Sequence, residues 1–566
     1  MRDVALAILE DQIERSKSNL EQWRQPIEPL LFETLRAIDH VFCEELFVPS
    51  ETWKQTKKAQ VGLSSWGVNK ALSLMVPPQL EGGPFRLFPS TGQTQRQASE
   101  LLLRCGILQR AEMLYGWLQE GLLTARIDKP SSAMPSGIQT ILVLKSDHPS
   151  MFGEVVSQRN KRWVSDFTIE QDTPWELDLQ DRHAALEAEL EKSVGCFGGW
   201  GMSYTTTREI DDHFLECGQI YLRRMWSQDL LGREDIIGGE PFNHYLGVLA
   251  AIAGRAEKHL CFSSILARRR PELDLRNLLT TFAHREEFIT GLAVHLDAET
   301  DQIRKLLEPL TLSYGNLHDH TSSGDIAWTP IVRSSQDYYI LPMYGLDTNP
   351  FLFLLADLRA RFPQDWFRLA NNREKRWLND LKLIFPGDRW SLNDRNLKLR
   401  EGKKTVTDLD FIAYDKEHNE LALFQLKWQH PVGMDNRARR SAGKNLLDQG
   451  NDWVERVLGW LGKYDIFELA KRAGITVKPD VDVKLFVVGR YNAYFTGFSE
   501  RDTRAVWSDW NHFMRVRVEN PRASISELAK ILSNEAEEFS RSYPGDSYML
   551  PLDSLAVILN PTSEPH

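Results

Sequence analysis

Four polar side chains lie at regular spacing in two neighbouring, strand-like runs within residues 405–429. Asp408 and Asp410 occupy alternate positions in the first run, and Gln425 and Lys427 occupy alternate positions at the end of the second. Because strand side chains alternate with a period of two, each pair shares one face of its strand. If the two strands pair as neighbours, we expect all four polar groups to converge.

This set of groups suits the hydrolysis of a phosphodiester bond. Hard divalent cations prefer oxygen ligands, and a bound cation polarises the phosphate and lowers the pKa of an attacking water. Asp410 is the expected main ligand, joined by the Gln425 side chain and the backbone carbonyl of Leu426, with Asp408 as a further candidate. Lys427 is suited to orient or deprotonate the water and to offset charge on the phosphate. These ligands predict Mg²⁺ or Mn²⁺ as the metal cofactor.

The pattern resembles that of the PD-(D/E)xK nuclease superfamily, in which an acid on one strand is followed on the next by (D/E/Q)-x-K. Here Asp410 precedes Gln425 by 15 residues and Lys427 completes QLK. The resemblance is closest to the Mrr-like and RecB-like branches, in which glutamine can replace the second acid, and it covers the last third of the chain. It implies a deoxyribonuclease with Asp410, Gln425 and Lys427 as catalytic residues, acting on DNA rather than RNA. Large chains with such a domain commonly belong to restriction or antiviral (anti-phage) defence systems.

Flanking elements fit the αβββαβ core that the resemblance implies. Apolar residues near helical spacing in Asn371–Phe385 predict a helix similar to the superfamily's first helix. Its Glu374 is either a further metal acid or a solvated helix charge. Arg395–Arg400 is expected to supply one of the three strands before the second helix, and Val481–Arg490 a central strand after it.

A basic loop and helix follow the QLK motif. Their cationic side chains are expected near the strand ends that carry the site, where a phosphate backbone must pass. These residues are Arg437, Arg439, Arg440 and Lys444. Gln449, further along the helix, is either a residue that supports the site or a plain surface glutamine.

Length and charge indicate several domains. A chain of 566 residues can form about two to four domains. We expect a predominantly helical module over residues 1–324, with a subdivision near 130–200, then a β-containing connector and helix over 325–370, and the nuclease-like domain over 371–566.

The net charge is −11, yet residues 371–444 carry 16 basic against 11 acidic side chains. The basic excess therefore surrounds the expected site, whereas the whole chain is too acidic to coat nucleic acid non-specifically.

Other sequence features bear on the compartment and partners. The five cysteines are widely spaced and include no C-x-x-C pair, which indicates a reducing cytoplasm and no zinc site of standard spacing. The N-terminus lacks the pattern of a signal peptide, and no run of 18 apolar residues occurs, so no membrane association is expected. DNA is the expected partner, together with a second copy of the chain or a regulatory protein.

Two other functions stay open at the level of sequence. Gln425 removes one negative charge from the site, which favours a nuclease-like fold that has lost catalysis and serves as a nucleic-acid-binding or scaffold protein. The chain would instead be a helical interaction protein if residues 405–414 and 420–428 did not form adjacent strands. In the nuclease interpretation, the N-terminal module would control the enzyme.

Overall fold

The structure is a computed structural model, and the chain folds as a mixed α/β protein. It describes residues 1–560 except for 24–27, 48–53, 131, 133, 135, 146–173, 226–230, 323–328, 345–349, 429–435, 496–500 and 542–547. Two large bodies can be distinguished by their cores. One extends over most of the first 370 residues, and the other is built around a five-stranded sheet that follows it.

Helices form most of the first body. They are α1 (Arg2–Glu21), α2 (Glu28–Cys43), α3 (Gln55–Trp66), α4 (Val68–Met75), α5 (Gly92–Gln119), α6 (174–193), α7 (Arg208–Arg224), α8 (Phe242–Arg269), α9 (Arg276–Leu279), α10 (Arg285–Leu296), α11 (Thr300–Leu307), α12 (Leu317–Thr321), α13 (Pro350–Arg361) and α14 (Pro363–Arg368). The long pair α7 and α8 cross closely, because a Cβ atom at Gly218 would lie 2.1 Å from the carbonyl oxygen of Ala250. Gly254 meets Phe214 in the same way across the crossing.

Short strands complete this body. They are β1 (Thr124–Asp128), β2 (Thr140–Lys145), β3 (Val194–Phe197), β4 (Gly201–Tyr204), β5 (Ile236–Ile237), β6 (Glu240–Pro241), β7 (Thr281–His284), β8 (Thr311–Leu312), β9 (Ile331–Arg333) and β10 (Tyr338–Leu341). One sheet has the order β7-β10-β9-β8, so strands from the expected connector 325–370 pair with strands of the helical module. Their side chains enter the same hydrophobic core, and the connector is therefore part of the first body.

The C-terminal segment returns to the first body. Strands β18 (Tyr548–Leu552) and β19 (Leu555–Asn560) extend β1 and β2 into a four-stranded sheet of order β1-β2-β19-β18. β19 runs parallel to β2, with Val557 opposite Leu142. These strands were expected within the domain 371–566. They join the other body instead, since their buried leucines and Val557 belong to its core.

The second body holds the residues of the expected site. Its elements are α15 (Ala370–Leu383), β11 (Trp390–Asn393), β12 (Leu397–Glu401), β13 (Lys404–Leu409), β14 (Phe411–Asp415), β15 (Glu420–Lys427), α16 (Asn436–Ala473), β16 (Asp482–Gly489), β17 (Ala505–Asp509), α17 (Trp510–Glu519) and α18 (Ile525–Arg541). The sheet has the order β11-β14-β15-β16-β17, in which β14 is antiparallel to both neighbours and β15, β16 and β17 run parallel.

Helices cover both faces of this sheet, which explains the continuous apolar run in β15. Leu421 and Leu423 pack with residues of α16, whereas Ala422 and Phe424 pack with residues of α15, α17 and α18. By the same alternation, Gln425 belongs to the face that α16 covers.

Arg395–Arg400 does not supply a strand of this sheet. Its residues lie in and just before β12, which pairs only with β13 in a separate two-stranded hairpin. The first strand of the sheet is β11. It is short and contains the polar residues Ser391 and Asn393, so the sequence shows no apolar run that would predict a strand. Gly402, with a φ of 59°, allows the tight turn between β12 and β13. The expected strand Val481–Arg490 agrees with β16.

Candidate active site

Asp410 lies at the bend where the chain leaves the hairpin and enters the central sheet. Strands β14 and β15 pair with Phe411 opposite Phe424, which places Asp410 opposite Gln425. The Asp410 backbone N–H donates to the Phe424 carbonyl at 3.0 Å, so this position is fixed to β15 although it lies outside the strand. The first polar run is therefore divided: Asp410 reaches β15, whereas Asp408 lies in β13 of the separate hairpin.

Three donors hold the Asp410 carboxylate. Oδ2 accepts from the Leu426 backbone N–H at 2.8 Å and from Nε2 of Gln425 at 2.5 Å. Oδ1 accepts from Nδ2 of Asn396 at 3.0 Å, and the same nitrogen donates to Oδ2 of Asp408 at 2.9 Å. One amide group thus bridges the two carboxylates.

The electrostatics of the site centre on Asp410. Burial raises the pKa of its carboxyl to about 6, and the charge of Asp408 acts in the same direction. The Leu426 N–H, the Lys427 ammonium and the Asn396 amide lower this pKa. A cation beside Asp410 would favour the ionised form, because it offsets both the desolvation and the like charge.

Gln425 and Lys427 share the face of β15 that turns toward α16. Gln425 is buried, with 6% of its surface exposed, and Lys427 is partly exposed at the strand end. A half-turn of the Gln425 amide exchanges Nε2 for Oε1, so the same position can present either a donor or a neutral oxygen.

Helix α16 is attached to the site through Trp453. The indole Nε1 of this buried residue donates to the backbone carbonyl of Asp408 at 2.7 Å. Gln449 lies one helical turn earlier, near the same side of α16 by the helical period, and its side chain is exposed. Gln449 is therefore close to the site face of the helix.

Two of the candidate ligands can be compared with the fold. Glu374 is exposed on α15, which packs on the opposite face of the sheet from Gln425, so its position favours the solvated helix charge over a metal acid. At Leu426, the backbone N–H donates to Asp410, and its carbonyl stays a predicted ligand.

The expected phosphate-binding residues lie at the start of α16. Arg440 is paired with Glu120, just after α5, at 3.5 Å, which links this helix to the first body. Lys444 is exposed and Arg439 is partly buried. The side chain of Arg437 lies outside the described residues.

Asn396 and Trp453 are site residues that the sequence did not reveal. Hairpin register places Lys398 opposite Asp408, and continuing it by two residues brings Asn396 to Asp410. The turn sequence Glu401-Gly402-Lys403 was the available signal, because a glycine between two short extended runs is typical of a hairpin. Recognising that hairpin would have placed Asn396 and Lys398 beside the two acids.

The donor set fits a hard divalent cation. Two carboxylates share one amide donor, and the buried Gln425 amide can contribute a neutral oxygen. Oxygen donors of this kind suit Mg²⁺ or Mn²⁺, which retain several waters. Within the described ranges no group of three histidine, cysteine, aspartate or glutamate side chains is arranged to hold a metal, so a metal here would depend on Gln425 and water as well.

No family model, no curated protein and no solved structure matches the chain. None of the described helices is both long and apolar enough to cross a lipid bilayer.

Proposed function

We propose that this protein is a metal-dependent nuclease that hydrolyses DNA phosphodiester bonds at the site formed by Asp408, Asp410, Gln425 and Lys427. The observation that carries the proposal is the pair of carboxylates bridged by Asn396, with the buried Gln425 amide bonded to Asp410 and the Lys427 charge acting on Asp410. Paired acids joined to a nearby ammonium are suited to phosphodiester chemistry.

Each residue has a distinct role in this proposal. Asp410 and Asp408 would hold Mg²⁺ or Mn²⁺, with Gln425 turned to present its oxygen. The bound metal supplies Lewis acidity toward the phosphate and lowers the pKa of a water. Lys427 orients that water and offsets negative charge as it grows on the phosphate oxygens. Trp453 and Asn396 fix the Asp408 backbone and the two carboxylates.

The surroundings of the site support a polyanionic substrate. Lys398 is exposed directly opposite Asp408, and Arg395 is exposed next to Asn396. Lys444 adds a further exposed cation on α16. Such side chains position a phosphate backbone without reading its sequence. The preference for DNA over RNA, and a role in restriction or antiviral defence, follow from the family resemblance.

The layout of the second body also supports a nuclease of the PD-(D/E)xK type. Its central elements follow the order helix α15, strands β11, β14 and β15, helix α16 and strand β16, with the hairpin β12-β13 inserted after the first strand. This order is compatible with an αβββαβ core, and the candidate residues lie on the second and third strands of that series or beside them.

Cleavage assays test the proposal. Wild type, Lys427→Ala and the control Lys471→Ala, which changes an exposed lysine near the distant end of α16, are incubated with plasmid, linear and single-stranded DNA. We expect cleavage with Mg²⁺ or Mn²⁺ that EDTA abolishes, at least ~100-fold less with Lys427→Ala, and no change with Lys471→Ala. Cleavage that survives in EDTA or in Lys427→Ala would place the activity elsewhere.

The second candidate is a nuclease-like nucleic-acid-binding or scaffold protein without catalysis. The observation that favours it is the hydrogen bond that the Gln425 amide donates to Asp410. In this arrangement the two side chains proposed to hold the metal bind each other instead. DNA binding in gel-shift assays, with no cleavage by wild type in any metal, would select this candidate.

Control by the first body is part of the proposal, and the Arg440–Glu120 pair supports it. While this pair is formed, Arg440 is held by Glu120 and is less accessible to a phosphate. Glu120→Gln should free Arg440 and increase DNA affinity at low salt about two- to tenfold, whereas Glu100→Gln, which frees the exposed Arg104 on α5 instead, should not. Equal affinities for the two variants would argue against this control.

A further inference from the structure

A cavity of about 270 Å³ lies within the helical body, well separated in sequence from the candidate active site. Its walls come from α7, α8 and α10, together with the end of β4. The residues that matter here are Tyr204, Asp211, Arg255, Lys258, Phe288 and Gly291. The cavity is slightly smaller than typical small-molecule pockets, so an occupant must be small.

Arg255 is the unusual residue of this cavity. Its guanidinium carbon lies 5.0 Å from the centre of the Phe288 ring, a cation–π contact. Within the described part of the chain, Arg255 takes part in no ion pair within 4 Å and in no hydrogen bond, and the Asp211 carboxylate acts on it only through its charge. Burial lowers the pKa of Arg255. Burying a guanidinium without an anionic partner costs free energy, and a bound anion would reduce that cost.

Among the described residues, the acids around the cavity form no ion pair with Arg255, although the charge of Asp211 acts against the lowering of its pKa. Asp211 is engaged by the Lys258 ammonium and accepts from the Thr206 hydroxyl at 3.2 Å. Glu287 lines the cavity but is exposed, and His295 is partly buried on the same helix. Arg255 is therefore the cation best placed to receive an anion from outside the chain.

Two aromatic rings, those of Tyr204 and Phe288, line part of the cavity. The Tyr204 ring is fixed, because it stacks on Phe262 with ring centres 4.4 Å apart and its hydroxyl lies 3.2 Å from Nδ1 of His259. Phe288 forms a second aromatic wall. A Cβ atom built at Gly291 would have no atom within 4 Å, so the cavity is open at this position.

We propose that this cavity binds a small organic anion whose carboxylate or phosphate group pairs with Arg255 and whose planar part lies between Phe288 and Tyr204. A guanidinium recognises both kinds of anion through paired N–H donors. The inference does not depend on the nuclease proposal, since none of its residues belongs to that site.

Binding measurements on the full chain test the inference. Calorimetry and thermal unfolding are carried out with benzoate, AMP and inorganic phosphate as probes. Benzoate represents an aromatic carboxylate, AMP an aromatic phosphate, and inorganic phosphate the anion alone. We expect benzoate or AMP to bind and to raise Tm, with inorganic phosphate at least tenfold weaker because it lacks the planar part. The stronger of the two organic probes identifies the anion.

Two variants locate the binding. Arg255→Met removes the charge while keeping an unbranched side chain, and Gly291→Leu adds a bulky side chain at a residue that lines the cavity. Each should weaken the stronger probe at least tenfold, while Arg208→Met, at an exposed position on α7, should leave it unchanged. If Arg255→Met does not fold, the affinity of Gly291→Leu for the stronger probe shows whether that probe binds in this cavity. The inference is overturned if neither organic probe binds the wild type, or if binding persists in the folded variants.

Discussion

Gln425 and Leu426 donate to the same oxygen of Asp410, the side chain of one residue and the backbone N–H of the next. The second oxygen of Asp410 receives the Asn396 amide. Hydrogen bonds therefore hold this carboxylate together with the charge of Lys427, and Gln425 takes part as a donor.

Replacing Gln425 by glutamate tests the meaning of that position. In Gln425→Glu, a second carboxylate would face Asp410, so we expect tighter Mn²⁺ binding and half-maximal DNA cleavage at a metal concentration at least ~3-fold lower. Without metal, repulsion between the two acids should lower Tm at pH 8 and much less at pH 5. Gln97→Glu, at an exposed position on α5 of the first body, is the control. An unchanged metal requirement in Gln425→Glu would show that residue 425 does not face the cation.

The pKa of Asp410 predicts how metal binding depends on pH. A cation binds the ionised carboxylate, so Mn²⁺ affinity should be nearly constant above pH 7 and fall about tenfold per unit as the pH decreases below about 6. Isothermal calorimetry between pH 5 and pH 8 measures this dependence. A flat affinity down to pH 5 would mean that Asp410 is not a ligand.

The same group predicts a stability change in the metal-free protein. Because the folded pKa of about 6 is above the ordinary value of 3.8, the folded state binds the proton more tightly. The Asp410 contribution to the free energy of unfolding is therefore greatest at low pH and is lost as the pH rises from about 4 to about 6. Asp410→Asn should remove this part of the pH dependence in denaturant titrations. An unaltered pH profile in that variant would contradict the raised pKa.

The crossing of α7 and α8 predicts a strong effect of one methyl group. Gly218→Ala would place Cβ 2.1 Å from the Ala250 carbonyl oxygen, so the two backbones must move apart. We expect a loss of about 1–3 kcal/mol in the free energy of unfolding. Gly247→Ala, also in a long helix but with no atom within 4 Å of the new Cβ, should stabilise by up to about 1 kcal/mol. Similar stabilities for the two variants would mean that the helices are less closely packed.

The C-terminal hairpin predicts which fragments fold. Residues 1–370 alone would expose the edge of β2 that β19 covers, together with part of the core, and we expect aggregation. Fusion of residues 548–560 to residue 370 through a flexible linker should restore a monomeric, cooperatively melting fragment, as measured by size-exclusion chromatography and circular dichroism. A fragment 1–370 that melts cooperatively without the hairpin would show that the hairpin is dispensable.

The sequence by itself determined the local features of the second body. Period-two spacing predicted that the runs around Asp408 and Gln425 are strands with shared faces, and the apolar run before Gln425 predicted burial on both sides. Helical spacing predicted α15 and the start of α16. These features depend on neighbours within a few residues, so the order of residue types is sufficient to reveal them.

Tertiary structure decided the contacts between residues far apart in the chain. Asn396 reaches Asp408 and Asp410 only because the β12-β13 hairpin folds back, and Glu374 is kept from them because α15 packs on the other face of the sheet. The last hairpin leaves the second body and completes a sheet with β2, more than 400 residues earlier in the chain. Such contacts are selected by which surfaces can bury one another, and no short-range pattern in the sequence records that choice.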